Sequence, residues 1–268
     1  IPVGNIMATV ISNNMVLSAQ GLSGNAGVIG YNNLLNVNNV TVTSALATNP
    51  ITNVANPATA YTWEATSGAS QTITIQTSGQ TIDYVGIARH NLNQVGLTVT
   101  LKYNGVTVVP ATPVSEIQAI LFLQNEATPD TVEIIIEGAT MAPQIGVIYV
   151  GKSLRLQRNI YVGHTPITYG RNRKAINGVS ENGQYLGEIV VRQNNLTSVK
   201  LNNLTPSWYR SMLDPFFALT PRVPCFWAWR PEDFPAEVGF CWLEGEPSVS
   251  NQRSNGMMES SFSFKGIV

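Results

Sequence analysis

Charge is what this sequence has least of. Asp, Glu, Lys and Arg make up 12% of its 268 residues, about half of the roughly 25% usual in soluble proteins. No charged residue and no histidine precedes Glu64. A monomer surface ordinarily carries both signs of charge for solubility, whereas the centres of protein interfaces are depleted in them. Residues 1–63 therefore read as chain that meets protein over much of its surface. The plainer alternative is a flexible polar leader. Val10, Ile11, Val16, Leu17, Val28, Ile29 and Leu35 make the stretch more apolar than such leaders are.

Other absences exclude whole classes of function. The net charge is −1 and the isoelectric point about 6.2, without the basic footprint of a nucleic-acid binder. One local exception is Lys152, Arg155, Arg158, Arg171, Arg173 and Lys174, with no acid between Glu137 and Glu181; it reads as a solvated basic connector or a subunit-facing patch. No apolar run is long enough for a membrane helix, and no charged n-region announces a signal peptide, so neither is expected. Cys225 and Cys241, the only cysteines, are too few for a disulfide framework and read as buried thiols on the two arms of a hairpin. Asn39, Asn195 and Asn203 open N-x-S/T sequons, as expected by chance in an Asn- and Thr-rich chain.

Catalytic chemistry has little to draw on. His90 and His164 are the only histidines, and there is no G-x-S-x-G, H-E-x-x-H or P-loop sequence. The acidic pairs Glu232-Asp233 and Glu244-Gly245-Glu246 lie in turns and do not read as carboxylates opposed across a sugar. No catalytic residue, metal site or cofactor is expected, and the chain reads as a non-enzyme. Arg89 and His90 follow an apolar strand, where a loop could contact a glycan or a partner; a histidine satisfied by local hydrogen bonds is the simpler reading of His90.

What is present is alternation. Ile73 and Ile75 alternate with threonines, as do Leu97, Val99 and Leu101, and Val132, Ile134 and Ile136 repeat the pattern, the signature of half-buried strands. Ile82 to Ala88 and Ile145 to Val150 are nearly continuous apolar runs, fitting strands covered on both faces. Asn104-Gly105 predicts a type I′ hairpin. Thr205-Pro206 predicts a helix start, and Pro215 is expected to kink or end that helix. Four of the five tryptophans fall between 208 and 242. In Cys225 to Trp229 the side chains alternate, which assigns one face to a core and the other to subunit contact; Trp208, Trp227, Trp229 and Trp242 are the candidate interface residues.

The stretch Leu201 to Leu219, the Pro224-Cys225-Phe226-Trp227 strand, the second Trp strand and the closing Ser261-Phe262-Ser263-Phe264 resemble the distal-tail and minor-tail proteins of tailed bacteriophages. Ser70 to Asn91 with the following hairpin resembles galactose-binding-like jelly rolls. With the uncharged start and the basic stretch read above, the expectation is an all-β chain: an N-terminal assembly arm over 1–32, a jelly-roll β-sandwich over 33–153, a basic connector over 154–178, and, as the resemblance implies, a tail-hub-like β-barrel or sandwich with one short helix over 179–268. It also implies a virion subunit of the phage tail tip. Its partners would be other copies of itself in a ring and neighbouring tail proteins, with no nucleic acid and no membrane insertion. The alternative is a carbohydrate-binding module for host surface glycans; no sugar-binding motif matches residue by residue.

Overall fold

The computed structural model describes residues 9–12, 26–114, 118–160, 162–219, 223–252, 254 and 256–267. It is all-β with one short helix, and three sheets are stacked face to face.

The outer sheet has the order β3 (Val40–Val42), β5 (Gln71–Gln76), β10 (Thr131–Glu137), β7 (Thr98–Tyr103) and β8 (Val106–Pro113). Its strands alternate buried and half-exposed positions, because one face is dry and the other wet. Between β7 and β8, Asn104 and Gly105 take φ values of 49° and 77°, as a type I′ turn requires. The Asn104 side chain also accepts the Asp130 and Thr131 N–H groups, each at 2.9 Å.

The central sheet has the order β1 (Thr9–Ser12), β9 (Ala119–Ala127), β6 (Ile82–His90), β11 (Gln144–Gly151) and β4 (Trp63–Glu64). Its long strands are covered on both sides, which explains their unbroken apolar runs. Val85, Ile87, Phe122 and Ile148 face Ile73, Leu101 and Ile134 of the outer sheet. Tyr84, Leu121, Val147 and Tyr149 face the other way, onto the third sheet.

The third sheet runs β12 (Leu154–Arg155), β2 (Val28–Gly30), β15 (Cys225–Ala228), β16 (Val238–Leu243), β18 (Met258–Ile267), β14 (Tyr185–Leu204) and β13 (Arg171–Val179), with β17 (Ser248–Asn251) on β18. Alternation along β15 sends Phe226 and Ala228 to the central sheet, and Cys225 and Trp227 to a core under the helix. That core holds Leu201, Leu213, Phe216, Phe262 and Phe264. Cys225 and Cys241 stand opposite each other as free, buried thiols, and burial raises both thiol pKa values.

The helix α1 spans Pro206–Trp208, a π turn Tyr209–Leu213 and Asp214–Leu219. Thr205 caps it by accepting the Trp208 N–H at 3.4 Å. Pro215 does not end the helix. The π turn before it takes up the missing N–H, and the chain stays helical to Leu219, as π-bulges commonly allow.

Three sequence expectations change here. Residues 26–32 belong to the body rather than to an arm: β2 lies between β12 and β15, and Asn32 O accepts the Tyr84 hydroxyl at 2.7 Å. The stretch 154–178 is not a solvated connector, since its ends form β12 and β13 and Arg155 is buried against Asp83 at 3.4 Å. The second face of β15 meets the molecule's own central sheet, not another subunit; composition cannot tell an internal interface from an external one.

The contact between central and third sheets is close. A Cβ on Gly86 would stand 2.5 Å from the Phe226 ring. Gly86→Val is therefore expected to force the sheets apart and to cost about 1–3 kcal/mol or more, read as a lowered urea midpoint; an unchanged midpoint would show that this layer is loosely packed.

Candidate assembly surface

Two strands of the third sheet leave the body. β14 pairs with β18 from Asn195 onward, and over Tyr185–Asn195 its ladder is with β13. At the foot of this ribbon Asn195 is buried and donates through Nδ2 to Ile167 O at 2.7 Å. Thr197 Oγ1 donates to Thr165 O at 2.6 Å, and Leu196 N donates to Gly170 O at 2.7 Å. A Cβ on Gly170 would stand 1.8 Å from Leu196 O, so glycine is needed for that approach. At the tip, Ser180 Oγ accepts the Gln184 N–H at 3.0 Å, and Gly183 has φ 76°.

Between foot and tip nearly every residue is exposed. Ile176, Val179, Tyr185, Leu186 and Ile189 are each more than 60% exposed, and Val190 and Val191 join them. Ile176 and Ile189 are cross-strand partners. The ribbon is roughly 30 Å long at about 3.3 Å per residue. Its charge is mainly Arg171, Arg173, Lys174 and Arg192 towards the foot, with Arg173 bridging Glu188 at 2.8 Å. An exposed pair of that kind contributes less than about 1 kcal/mol. Both ribbon edges, on β13 and on β14 over Tyr185–Asn194, lack a ladder partner among the described residues. An open groove of about 760 Å³ lies against the foot, lined by Tyr169, Arg171, Arg173 and Thr197 among others.

The site residues expected from sequence are scattered. Arg89 is exposed with φ 56°. His90 is buried; its Nδ1 accepts the Leu92 N–H at 3.2 Å, and Nε2 is sealed without a partner. The two therefore do not form one surface. Trp227 is fully buried, which removes it from the interface candidates. Trp208 is half-buried against the helix core. Trp229 is also half-buried: its indole N–H donates to Glu237, its ring stacks on Phe234 at 5.3 Å, and His164 lies 5.0 Å away. Trp242 is 37% exposed. The ribbon itself carried a sequence signal in Tyr185 to Arg192, a β-like stretch; its lack of a covering layer was not visible there.

Burial holds the His90 pKa at about 3, against an ordinary 6.5. The unfolded chain takes up this proton below 6.5 and the fold resists it until about 3, so stability present above 6.5 is lost as pH falls through that window. The slope is up to about 1.4 kcal/mol per pH unit. His90→Gln, which keeps an acceptor for Leu92 N–H, is expected to flatten the slope of unfolding free energy between pH 6 and 4. Equal slopes for the two chains would contradict the buried, neutral imidazole.

No protein-family model and no curated protein matches the chain. Among solved structures it is similar to chitosan-binding module 1 of a chitosanase/glucanase from Paenibacillus sp. IK-5, at 16% identity over 45% of this chain and 98% of that one, with a TM-score of 0.39. It is similar to the CBM32 of AlyQ in complex with 4,5-unsaturated mannuronic acid, at 17% identity over 45% and 96%, with a TM-score of 0.34. A Ruminococcus gnavus GH29 fucosidase in complex with fucose matches at 17% identity over 42% of this chain and 25% of that one, with a TM-score of 0.33. Likeness at this level bears on neither ligand nor activity.

Proposed function

We propose that this chain is a non-enzymatic structural subunit of a bacteriophage tail tip, which closes into a ring with copies of itself and links the tail tube to receptor-binding parts. The observation that carries this reading is the projecting β13–β14 ribbon. A lone two-stranded ribbon is at best marginally stable in water, and its open edges are templates for further pairing. Its two edges are different strands, so joining the β13 edge of one copy to the β14 edge of the next is a heterologous contact. Such contacts produce a ring when the rotation closes. Ring closure pairs both open edges of the ribbon, whose unpaired backbone groups are then no liability. The role is mechanical, and the setting is the virion. The glycan alternative retains Arg89 alone, since His90 faces the interior.

The cross-strand pair Ile176 and Ile189 provides the test. Ile176→Asp with Ile189→Asp places like charges opposite one another on the ribbon, and the expected result is a monomer with an unchanged unfolding midpoint. Retention of the oligomer by this double variant would count against the ribbon as the contact.

A further inference from the structure

A cavity of about 340 Å³ opens beside the end of β11. Its walls come from the chain after β2, from the 3₁₀ turn Ile51–Ala55 with Pro57, from Tyr149 on β11, and from Val223 ahead of β15. The first of these walls is held firmly. Asn33 Nδ2 donates to Ile148 O at 3.3 Å, and its Oδ1 accepts the Leu35 and Val150 N–H groups at 3.1 and 3.0 Å. A Cβ on Gly151 would run into Asn32 O, so glycine is needed for this stretch to lie on the end of β11. The wall is in place before any ligand arrives, which lowers the cost of binding.

Leu35, Ala55, Pro57 and Val223 give the cavity apolar sides, and no charged side chain among the described residues lines it. Its free polar groups are neutral. The Tyr149 ring is packed edge-on against Phe226 at 5.7 Å and Phe240 at 5.8 Å, and the residue is 2% exposed. Its hydroxyl has no hydrogen-bond partner among the described residues and is left to the cavity that the residue lines. The Tyr31 hydroxyl and the Asn32 side-chain amide, which line the same cavity, have none either.

These walls select a ligand. A hydrocarbon would seal the Tyr149 hydroxyl without a partner and incur its desolvation cost. An ion would enter without a counter-charge. An uncharged molecule with an apolar face and a rim of hydroxyl groups satisfies both the sides and the polar groups. Small-molecule sites run to roughly 300–1,000 Å³, and a cavity at the lower end suits a single ring.

We infer that this cavity binds one neutral pyranose unit, its C–H face on Leu35, Ala55 and Pro57 and its hydroxyl groups on Tyr149, Tyr31 and Asn32. The site is separate from Arg89 and does not depend on the ring reading. It gives each copy its own contact with a surface glycan.

The test is calorimetric titration of the full chain with galactose, glucose and N-acetylglucosamine, with glucuronate as the charged counterpart and phenol as the apolar one. At least one neutral sugar is expected to bind saturably, at one site per chain and more tightly than glucuronate. Tyr149→Phe keeps the packed ring and removes only the hydroxyl, and is expected to weaken that binding roughly three- to tenfold, the loss of one hydrogen bond. Asn32→Ala removes an exposed side chain while its backbone oxygen keeps the Tyr84 hydroxyl; it is expected to weaken binding with an unchanged unfolding midpoint, and it decides the matter if Tyr149→Phe disturbs the fold. Arg89→Ala is expected to bind as the unaltered chain does. Saturable binding of no neutral sugar, binding of phenol alone, or sugar binding that Asn32→Ala and a folded Tyr149→Phe both leave at full strength would overturn the site.

Discussion

Joining Ala175 to Val190 through an Asn-Gly turn is expected to turn the proposed ring into a monomer without lowering its thermal midpoint. Ala175 and Val190 are cross-strand partners, and Asn-Gly closes two-residue hairpins, so the shortened ribbon can still turn. The removed residues 176–189 are exposed over nearly all their length and belong to none of the three cores. Their loss leaves the foot intact, with Asn195 on Ile167 and Thr197 on Thr165. Assembly, by contrast, loses both open edges and the exposed Ile176, Val179, Tyr185, Leu186 and Ile189 together. Light scattering would read the change in mass, and calorimetry the unchanged midpoint. A shortened chain that still assembles would move the contact elsewhere.

The second large effect lies in the body. Asp83→Ala is expected to destabilise the fold by about 3–5 kcal/mol, the range for breaking a buried ion pair by removing one partner. Asp83 accepts the Ser153 N–H at 2.6 Å and the Ser153 hydroxyl at 3.0 Å, and Arg155 lies 3.4 Å away. The Asp83 and Arg155 side chains are 4% and 7% exposed. Burial raises the Asp83 pKa and lowers that of Arg155; the pair is tolerated because each charge answers the other. Removing Asp83 leaves the Arg155 charge inside and two Ser153 donors without their acceptor. Asp83→Ala with Arg155→Met is expected to recover most of the loss, because a well-packed apolar replacement of both partners is commonly near neutral. A cost below about 1 kcal/mol for the single variant would show that water reaches the pair. This pair ties β6 to the start of the third sheet.

Much of this architecture is readable from local pattern. Gln71–Gln76, Thr98–Tyr103 and Thr131–Glu137 announce themselves by period-two alternation, since each has one wet face. The doubly covered runs Ile82–Ala88 and Ile145–Val150 are equally plain, as are the Asn104-Gly105 turn and the Thr205-Pro206 helix start. What escapes is long-range. Arg155 looks like surface charge until Asp83, far away in sequence, is placed beside it. The aromatic strand at Cys225–Ala228 reads as half core and half interface, yet both faces are covered from within. The ribbon is the hardest case: with both faces in solvent, Arg171–Val179 has no periodic signal, so it resembles a connector. The N-terminal segment was legible as uncharged chain, but β2 within it was not separable from the rest.

The most direct test of the central claim is electron microscopy of the purified full-length chain, with class averages sorted by symmetry. The expected image is a closed ring of identical copies with the β13–β14 ribbons of neighbours joined edge to edge. Single particles of one copy at every concentration, or rings in which the ribbons point outward and touch nothing, would contradict it.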